Sequence, residues 1–206
     1  FPVPRCIAAQ AEAGTPFQIP TVLRRDDGDV AVLTIRRPHV LNALDEEVYA
    51  QIADHATALK ADPKIAAVVL TGFGPKAFVS GADVGFLAKI PDPAAAEATA
   101  ERSKRAGDLL EQMAKPVVCA LNGFAFGGGN ELAMCCSARI VQKGLRVAVS
   151  QPEVQLGIIP GSGATQRLPR LVGIEKAAVM LRTGVAISSR DAVECGLVRE
   201  EIEGDI

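Results

Sequence analysis

Two acids and two glycine turns stand where chemistry beside a carbonyl is possible. The stretch Gly123–Glu131 reads GFAFGGGNE and lies between the apolar run Pro116–Leu121 and the helical-looking run Leu132–Cys136. Its three successive glycines, Gly127, Gly128 and Gly129, let the backbone approach a ligand more closely than any side chain allows. The turn opens a helix, so unpaired N–H groups and the positive end of the helix dipole face one spot, with Glu131 in the first turn. That pairing suits a reaction in which negative charge gathers on a carbonyl oxygen while a proton moves. A second stretch, Lys76–Val84, reads KAFVSGADV; its turn is expected to leave the Ala82 N–H unpaired and directed outward, and Asp83 is a natural N-cap. A third, Ser150–Gly163, reads SQPEVQLGIIPGSG and sets Glu153 among Val, Leu and Ile, surroundings that raise a carboxyl pKa toward neutrality. Taken singly, each has a plainer reading: a glycine turn with a capping Glu, an Asp cap, and an acid at a helix start.

These turns need elements to hold them. Residues 1–20, rich in Pro, Ala and Gly, read as a linker or the tail of a preceding domain, and a single domain spans 21–206. Strands are expected at Val30–Ile35, Ile65–Leu70 (apolar throughout, so buried on both faces), Ala77–Ser80, Pro116–Leu121, Arg139–Val141 and Arg146–Val149. Helices are expected over Asn42–Lys60, Val84–Lys89, Ala100–Met113, Glu131–Cys136, Gln166–Leu171, Glu175–Arg182 and Ser189–Cys195. The Ala- and Pro-rich stretch Pro91–Ala98 reads as a mobile flap. Strands recurring after helices imply an α/β fold.

Composition narrows the function. With 22 Lys and Arg against 24 Asp and Glu, there is no basic excess for nucleic acid. No apolar run reaches the length of a membrane span. The five cysteines are odd in number and none forms CxxC, which reads as reduced thiols in a cytoplasmic protein. Without paired Cys at ligand spacing, and with only His39 and His55, both read as surface residues, no metal site is expected. Ser162 in PGSGA lacks the pattern of a nucleophile elbow. The first residue is Phe1 and the end reads EEIEGDI, so the sequence reads as a fragment.

In order, RRPHVLNAL, GADV, NGFAFGGGNELA, QPEVQLGIIPGSGATQRLPRLVG and RDAVECGLV resemble the crotonase (enoyl-CoA hydratase/isomerase) superfamily over about residues 21–199. The resemblance implies a spiral of stacked strand–strand–helix turns, here without its C-terminal helices, and a homotrimer or hexamer when full length. It implies an acyl-CoA substrate, with coenzyme A as part of that substrate and no separate cofactor. It assigns the oxyanion hole to the N–H groups of Ala82 and Gly128, and the acid–base pair to Glu131 and Glu153. In this family the position of Glu153 exchanges the proton at C2, and that of Glu131 helps activate water. CoA is expected along Asn42, Ala43 and Leu44 and along Lys76, Ala77 and Phe78, with Asp83 and Val84 also at the substrate and Phe86–Ala98 lining the acyl pocket. Arg36, Arg37 and Lys76 are candidate phosphate partners, each with a plainer reading as a solvated charge. Relatives often carry Asp where Ser137 stands.

The implied activity is hydration of a 2-enoyl-CoA in fatty-acid or related acyl-CoA degradation. An enoyl-CoA isomerase and a non-catalytic acyl-CoA-binding module are the alternatives; two retained acids favour hydration, which must activate water as well as protonate carbon. The opening FPVPRCIAAQAEAG resembles the tail of 3-hydroxyacyl-CoA dehydrogenase domains, which implies fusion to such a domain as one arrangement.

Overall fold

The structure, a computed structural model, describes residues 19–204 and 206 of the chain, so the expected linker falls outside them except for Ile19 and Pro20. Strand β1 (Val22–Asp27) turns at Gly28 into β2 (Val30–Ile35), and the two pair antiparallel. Then come α1 (Glu46–Ala61), β3 (Ala67–Gly72), β4 (Ala77–Val79), α2 (Val84–Leu87) and α3 (Pro93–Glu111). The middle of the chain gives β5 (Val117–Leu121), β6 (Phe124–Phe126), α4 (Gly128–Met134), β7 (Ala138–Gln142) and β8 (Val149–Ser150). It closes with α5 (Ala164–Val172), α6 (Ile174–Thr183), α7 (Ser189–Glu194) and β9 (Glu200–Ile202).

Two sheets form. The larger runs β1-β2-β3-β5-β7-β9 and is parallel from β2 onward; the smaller runs β4-β6-β8 and is parallel throughout. Successive strands alternate between the sheets: β3 then β4, β5 then β6, β7 then β8, with helices returning the chain after each pair. That is the expected spiral of strand–strand–helix turns. The inward residues of β2 and β3, Ala31, Leu33, Ile35, Val68 and Leu70, are all fully buried and meet Leu44, Val48, Ile52 and Leu59 in one core.

Several boundaries depart from the sequence reading. The helix expected from Asn42 starts at Glu46, because Leu41 and Asn42 adopt left-handed backbone (φ 53° and 59°) and Asp45 caps the Val48 N–H at 3.0 Å. The flap expected at Pro91–Ala98 is mostly the start of α3: Asp92 caps the Ala95 N–H, and Pro93 fits the first helical position, where no N–H is required. Strand β3 alternates between buried and half-buried residues rather than being closed on both faces. The strand expected over Arg146–Val149 contracts to Val149–Ser150, and β1, β6 and β9 were not anticipated. Ser137 accepts a hydrogen bond from the Val117 N–H, tying β5 to the entry of β7.

Candidate active site

A cavity of about 270 Å³ opens where α2, α3, the start of α4 and the Pro152–Ser162 segment converge. The three stretches singled out in the sequence all reach it, through Ala82, Gly128, Glu131 and Glu153.

The backbone presents the first pair of groups. Leu44 forms a parallel bridge with Ala82: its N–H donates to Gly81 O and its carbonyl accepts from Asp83 N, both at 2.8 Å. Because neighbouring amides on an extended segment point in opposite directions, this pairing turns the Ala82 N–H the other way. Gly128 is the first residue of α4, where no intrahelical acceptor exists for its N–H. Among the described residues neither N–H donates to a protein acceptor. A Cβ placed on Gly128 would lie 3.5 Å from the Ala82 nitrogen, and both residues line the cavity, so the two amides are neighbours on its wall.

The three glycines have different reasons to be glycine. Gly127 has φ 48°, and a Cβ there would come 2.8 Å from Glu153 Oε1. A Cβ on Gly129 would meet the Val79 carbonyl oxygen at 2.5 Å, inside contact distance, so α4 packs directly on β4. Gly128 alone has room, and the room is the cavity.

The carboxylates form the second pair. Glu131 is 2% exposed, and its Oε1 accepts from the N–H groups of Ser162 (2.8 Å) and Ala164 (2.9 Å) at the start of α5. Burial raises its pKa, opposed by those two N–H groups and by Arg167. Glu153 sits in a 3-10 turn over Pro152–Leu156 and is 8% exposed. Burial pushes its carboxyl up to about 7; the neighbouring Glu131 charge adds to the rise, while hydrogen bonds from its backbone and from Gln151 oppose it. Gln151, wholly buried, reaches both Glu153 oxygens at 3.2 and 3.3 Å and accepts from Asn130 Nδ2 at 2.6 Å, so the second acid is oriented by a buried amide chain.

Other expected site residues are placed as follows. Leu44 and Val84 line the cavity, Leu44 from within and Val84 at its exposed rim. Asp83 caps α2 by accepting from the Phe86 N–H at 3.2 Å and pairs with Arg37. Asn42 and Phe78 turn their side chains into the protein, at 1% and 0% exposure. Asn42 accepts from Arg37 N and donates to Phe73 O and Ala77 O, so it fixes a turn. Ala43 and Ala77 are buried, and Lys76 is exposed. Lys76 and Ala77 border a second cavity of about 300 Å³ together with Leu41, Phe73 and Pro75. Arg36 stacks over the Phe73 ring at 5.2 Å. Phe86, Leu87, Ile90 and Ala96 line the first cavity, as expected of Phe86–Ala98.

Sequence reasoning missed Gln151 and Tyr49. Tyr49 lies on the buried face of α1, where a lone aromatic reads as core, yet it lines the cavity, and its hydroxyl is 3.5 Å from the Gly128 Cβ position. Burial raises its pKa, and the Glu131 charge adds to the rise. Ser162 and Ser103, whose hydroxyls are 2.9 Å apart, also line the cavity.

The spiral of strand–strand–helix turns is the architecture that the crotonase resemblance implied, and it brings Ala82, Gly128, Glu131 and Glu153 to one cavity. The family model described as "Enoyl-CoA hydratase/isomerase" matches residues 25–203, and the chain belongs to that family. It is 42% identical over 182 residues to "Crotonyl-CoA hydratase" of Syntrophomonas wolfei, covering 88% of this chain and 69% of that protein. It is 39% identical over 194 residues to "Short-chain-enoyl-CoA hydratase" of Clostridium acetobutylicum, covering 91% and 70%. "Fatty acid oxidation complex subunit alpha" of Idiomarina loihiensis is 38% identical over 183 residues; this chain spans 26% of its length, and the match covers 88% of this chain. Among solved structures, an enoyl-CoA hydratase from Bacillus anthracis superposes with a TM-score of 0.84 at 32% identity, covering 89% of this chain and 70% of that one. Among the described residues no helix is long and apolar enough to cross a membrane.

Proposed function

We propose that this chain is an enoyl-CoA hydratase that adds water across the 2,3 double bond of a 2-enoyl-CoA thioester. The observation that carries the reading is the pair of buried, differently supported carboxylates, Glu131 and Glu153, on the cavity into which the Ala82 and Gly128 amides open. The thioester oxygen accepts from both amides, which are already oriented before charge develops; losing one such donor costs on the order of 3 kcal/mol of barrier. The hydroxyl oxygen of water bonds to C3, the π electrons move onto C2 and the thioester oxygen, and the water proton passes to Glu131. Glu153 then gives its proton to C2. One proton sits on the pair before and after the reaction, so dehydration runs through the same state.

The division of labour follows from the hydrogen bonds. Burial raises the Glu131 carboxyl on balance, but the two N–H groups on its Oε1 oppose the rise and favour its ionised form, as a base requires. Glu153, raised to about 7, holds a proton near neutral pH, as an acid requires. No cofactor is needed beyond the CoA carried by the substrate. Its CoA part is assigned to Ala43, Leu44 and Ala77, toward Lys76 and the second cavity. A trimeric or hexameric, cytoplasmic enzyme of fatty-acid or related acyl-CoA degradation fits this reading. Similarity to the larger fatty acid oxidation subunits supports fusion to a further catalytic domain, for which a 3-hydroxyacyl-CoA dehydrogenase is proposed.

Crotonyl-CoA hydration, followed for wild type, Glu131→Gln and Glu153→Gln, tests the proposal. The expected result is 3-hydroxybutyryl-CoA from wild type and losses of roughly 10²–10⁴-fold in each variant. Conversion of a 3-enoyl-CoA to its 2-enoyl isomer without hydration would establish the isomerase instead. Thioester binding with neither reaction would leave a binding module.

A further inference from the structure

Arg37 reads in sequence as a candidate phosphate partner, but the structure commits it elsewhere. Its side chain is 13% exposed. Nη1 donates to Ala43 O at 2.7 Å and to Asp83 Oδ2 at 3.0 Å, and Nη2 lies 2.9 Å from Asp45 Oδ2. Its backbone N–H donates to Asn42 Oδ1 at 3.0 Å, and its carbonyl accepts from the N–H groups of Val40 and Asn42 at 3.1 and 2.9 Å.

The two carboxylates are shared in the same way. Asp45 Oδ1 caps α1 and Asp83 Oδ1 caps α2, while the Oδ2 atom of each faces Arg37. Burial raises the Asp83 carboxyl, but the Arg37 hydrogen bond and the Phe86 N–H outweigh it, and the net shift is downward. All three acceptors of the guanidinium therefore flank one place. Asp83 follows Ala82 directly, and Ala43 precedes Leu44, whose N–H and carbonyl clasp the two neighbours of Ala82. A planar fork can hold three acceptors in fixed directions, and a lysine ammonium on a flexible stem cannot.

We propose that Arg37 is the positioning residue of the oxyanion hole: by tying the start of α1 to the start of α2 across the Leu44–Ala82 bridge, it fixes where the Ala82 N–H points. The proposal rests on the reading of Ala82 as an oxyanion donor. Arg37 touches no reacting atom. Its contribution is geometric, and misplacing a catalytic group by about 1 Å can cost on the order of 10²-fold in rate.

The test compares wild type with Arg37→Lys, Asp83→Asn and Arg24→Lys. Asp83→Asn keeps an oxygen for the α2 cap but loses the anionic partner. Arg24 pairs with Asp26 and Asp62 and does not line the cavity, so Arg24→Lys controls for loss of an arginine ion-pair network. Two readouts are used: kcat and KM for crotonyl-CoA, and the red shift of bound 4-(dimethylamino)cinnamoyl-CoA, whose absorption moves as its thioester carbonyl is polarised. For Arg37→Lys the expected outcome is a dissociation constant for the chromophore within about threefold of wild type, kcat lower by roughly 10–100-fold, and most of the red shift lost. Asp83→Asn shifts both readouts in the same direction by less, and it carries the test if Arg37→Lys does not fold. Arg24→Lys matches wild type. An unchanged kcat and red shift in folded Arg37→Lys and Asp83→Asn would overturn the proposal. So would a red shift retained alongside weakened binding of 3′-phospho-ADP, which would make Arg37 a phosphate ligand after all. The red shift reads the oxyanion hole whether or not water is added. A wild type that polarises the chromophore without hydrating crotonyl-CoA would therefore refute the hydratase reading separately from the role of Arg37.

Discussion

At the scale of single residues, the proposed mechanism depends on two chemically identical acids in different surroundings. Glu131 receives two backbone N–H groups; among the described residues Glu153 receives the amide of Gln151 and its own backbone N–H, and burial, helped by the Glu131 charge, raises it to about 7. In the proposed mechanism the productive state carries one proton on the pair. Adding a second proton removes the base, and losing the last removes the acid, so kcat/KM should be bell-shaped, with its alkaline limb near pH 7 in the free enzyme. Hydration consumes no net proton, so kcat/KM for hydration and dehydration should trace the same profile. Crotonyl-CoA hydration rates across pH 5–9 check the bell, and a kcat/KM that stays level or keeps rising above pH 7 would refute the one-proton dyad. Because the Glu131 charge contributes to raising Glu153, the residual activity of Glu131→Gln should have its alkaline limb moved to lower pH. Asn42 is the counter-example, a polar residue whose work is structural. Asn42→Ala strips partners from Arg37 N, Phe73 O and Ala77 O and leaves alanine in left-handed backbone. A loss of on the order of 3 kcal/mol in urea unfolding is expected. The acids and both amides were legible because motif order supplied their meeting point. Tyr49 and Gln151 were not, since a tyrosine at helical spacing and a glutamine before proline look alike in a core and in a site.

At the scale of elements, the start of α4 decides where the amides lie, and its adjacent glycines should separate folding from chemistry. A methyl at Gly129 would strike the Val79 carbonyl at 2.5 Å and the Val79 side chain at 2.8 Å, so α4 must move off β4. Gly129→Ala should cost about 1–3 kcal/mol of stability. A methyl at Gly128 meets nothing closer than 3.5 Å, so Gly128→Ala should fold with nearly wild-type stability. That methyl lies 3.5 Å from the Ala82 nitrogen on the cavity wall, and under the proposed mechanism hydration should fall by roughly 10²–10³-fold, the scale of a lost oxyanion donor. Urea midpoints and crotonyl-CoA turnover measured on both variants check the contrast; a severely unfolded Gly128→Ala would refute it. The elements themselves were unevenly readable. Periodic α1 and the β-branched β2 declare themselves. β1 escaped because VLRRDD is mostly polar and half-exposed, and it is a strand through its pairing with β2. β9 is likewise a three-residue edge paired to β7, a long-range contact that no local pattern records. The first turns of α3 were hidden by prolines, though Pro93 follows its Asp92 cap in the order that begins a helix.

At the scale of the whole molecule, burying the acids sets function against stability. The spiral brings three distant stretches to one cavity, and sequence alone, read without the family resemblance, had no way to show that convergence. The convergence has a thermodynamic consequence. Glu153 has an ordinary carboxyl value of 4.5 when exposed and about 7 in the fold. Below the lower value it is neutral in both states and carries no penalty. Between the two values the folded protein holds a proton that the unfolded chain has released, so stability falls as pH rises. Above about pH 7 the fold bears a buried carboxylate beside Glu131, at a cost on the order of 2 kcal/mol once solvent screening is allowed for. The groups with lowered values, Asp62, Asp83, Asp191 and Glu201, lose their contribution only at more acid pH and so do not mask this window. Urea unfolding of wild type and Glu153→Gln at pH 5 and pH 8 isolates the effect of the acid pair, because titrating groups not coupled to Glu153 cancel to first order in the double difference. The wild type should lose on the order of 2 kcal/mol more than the variant between the two pH values, so that the variant is the more stable protein at pH 8 while being the poorer catalyst. Equal pH dependence in the two proteins would mean that Glu153 is not held protonated by its burial, and the assignment of Glu153 as the acid of the pair would fall with it.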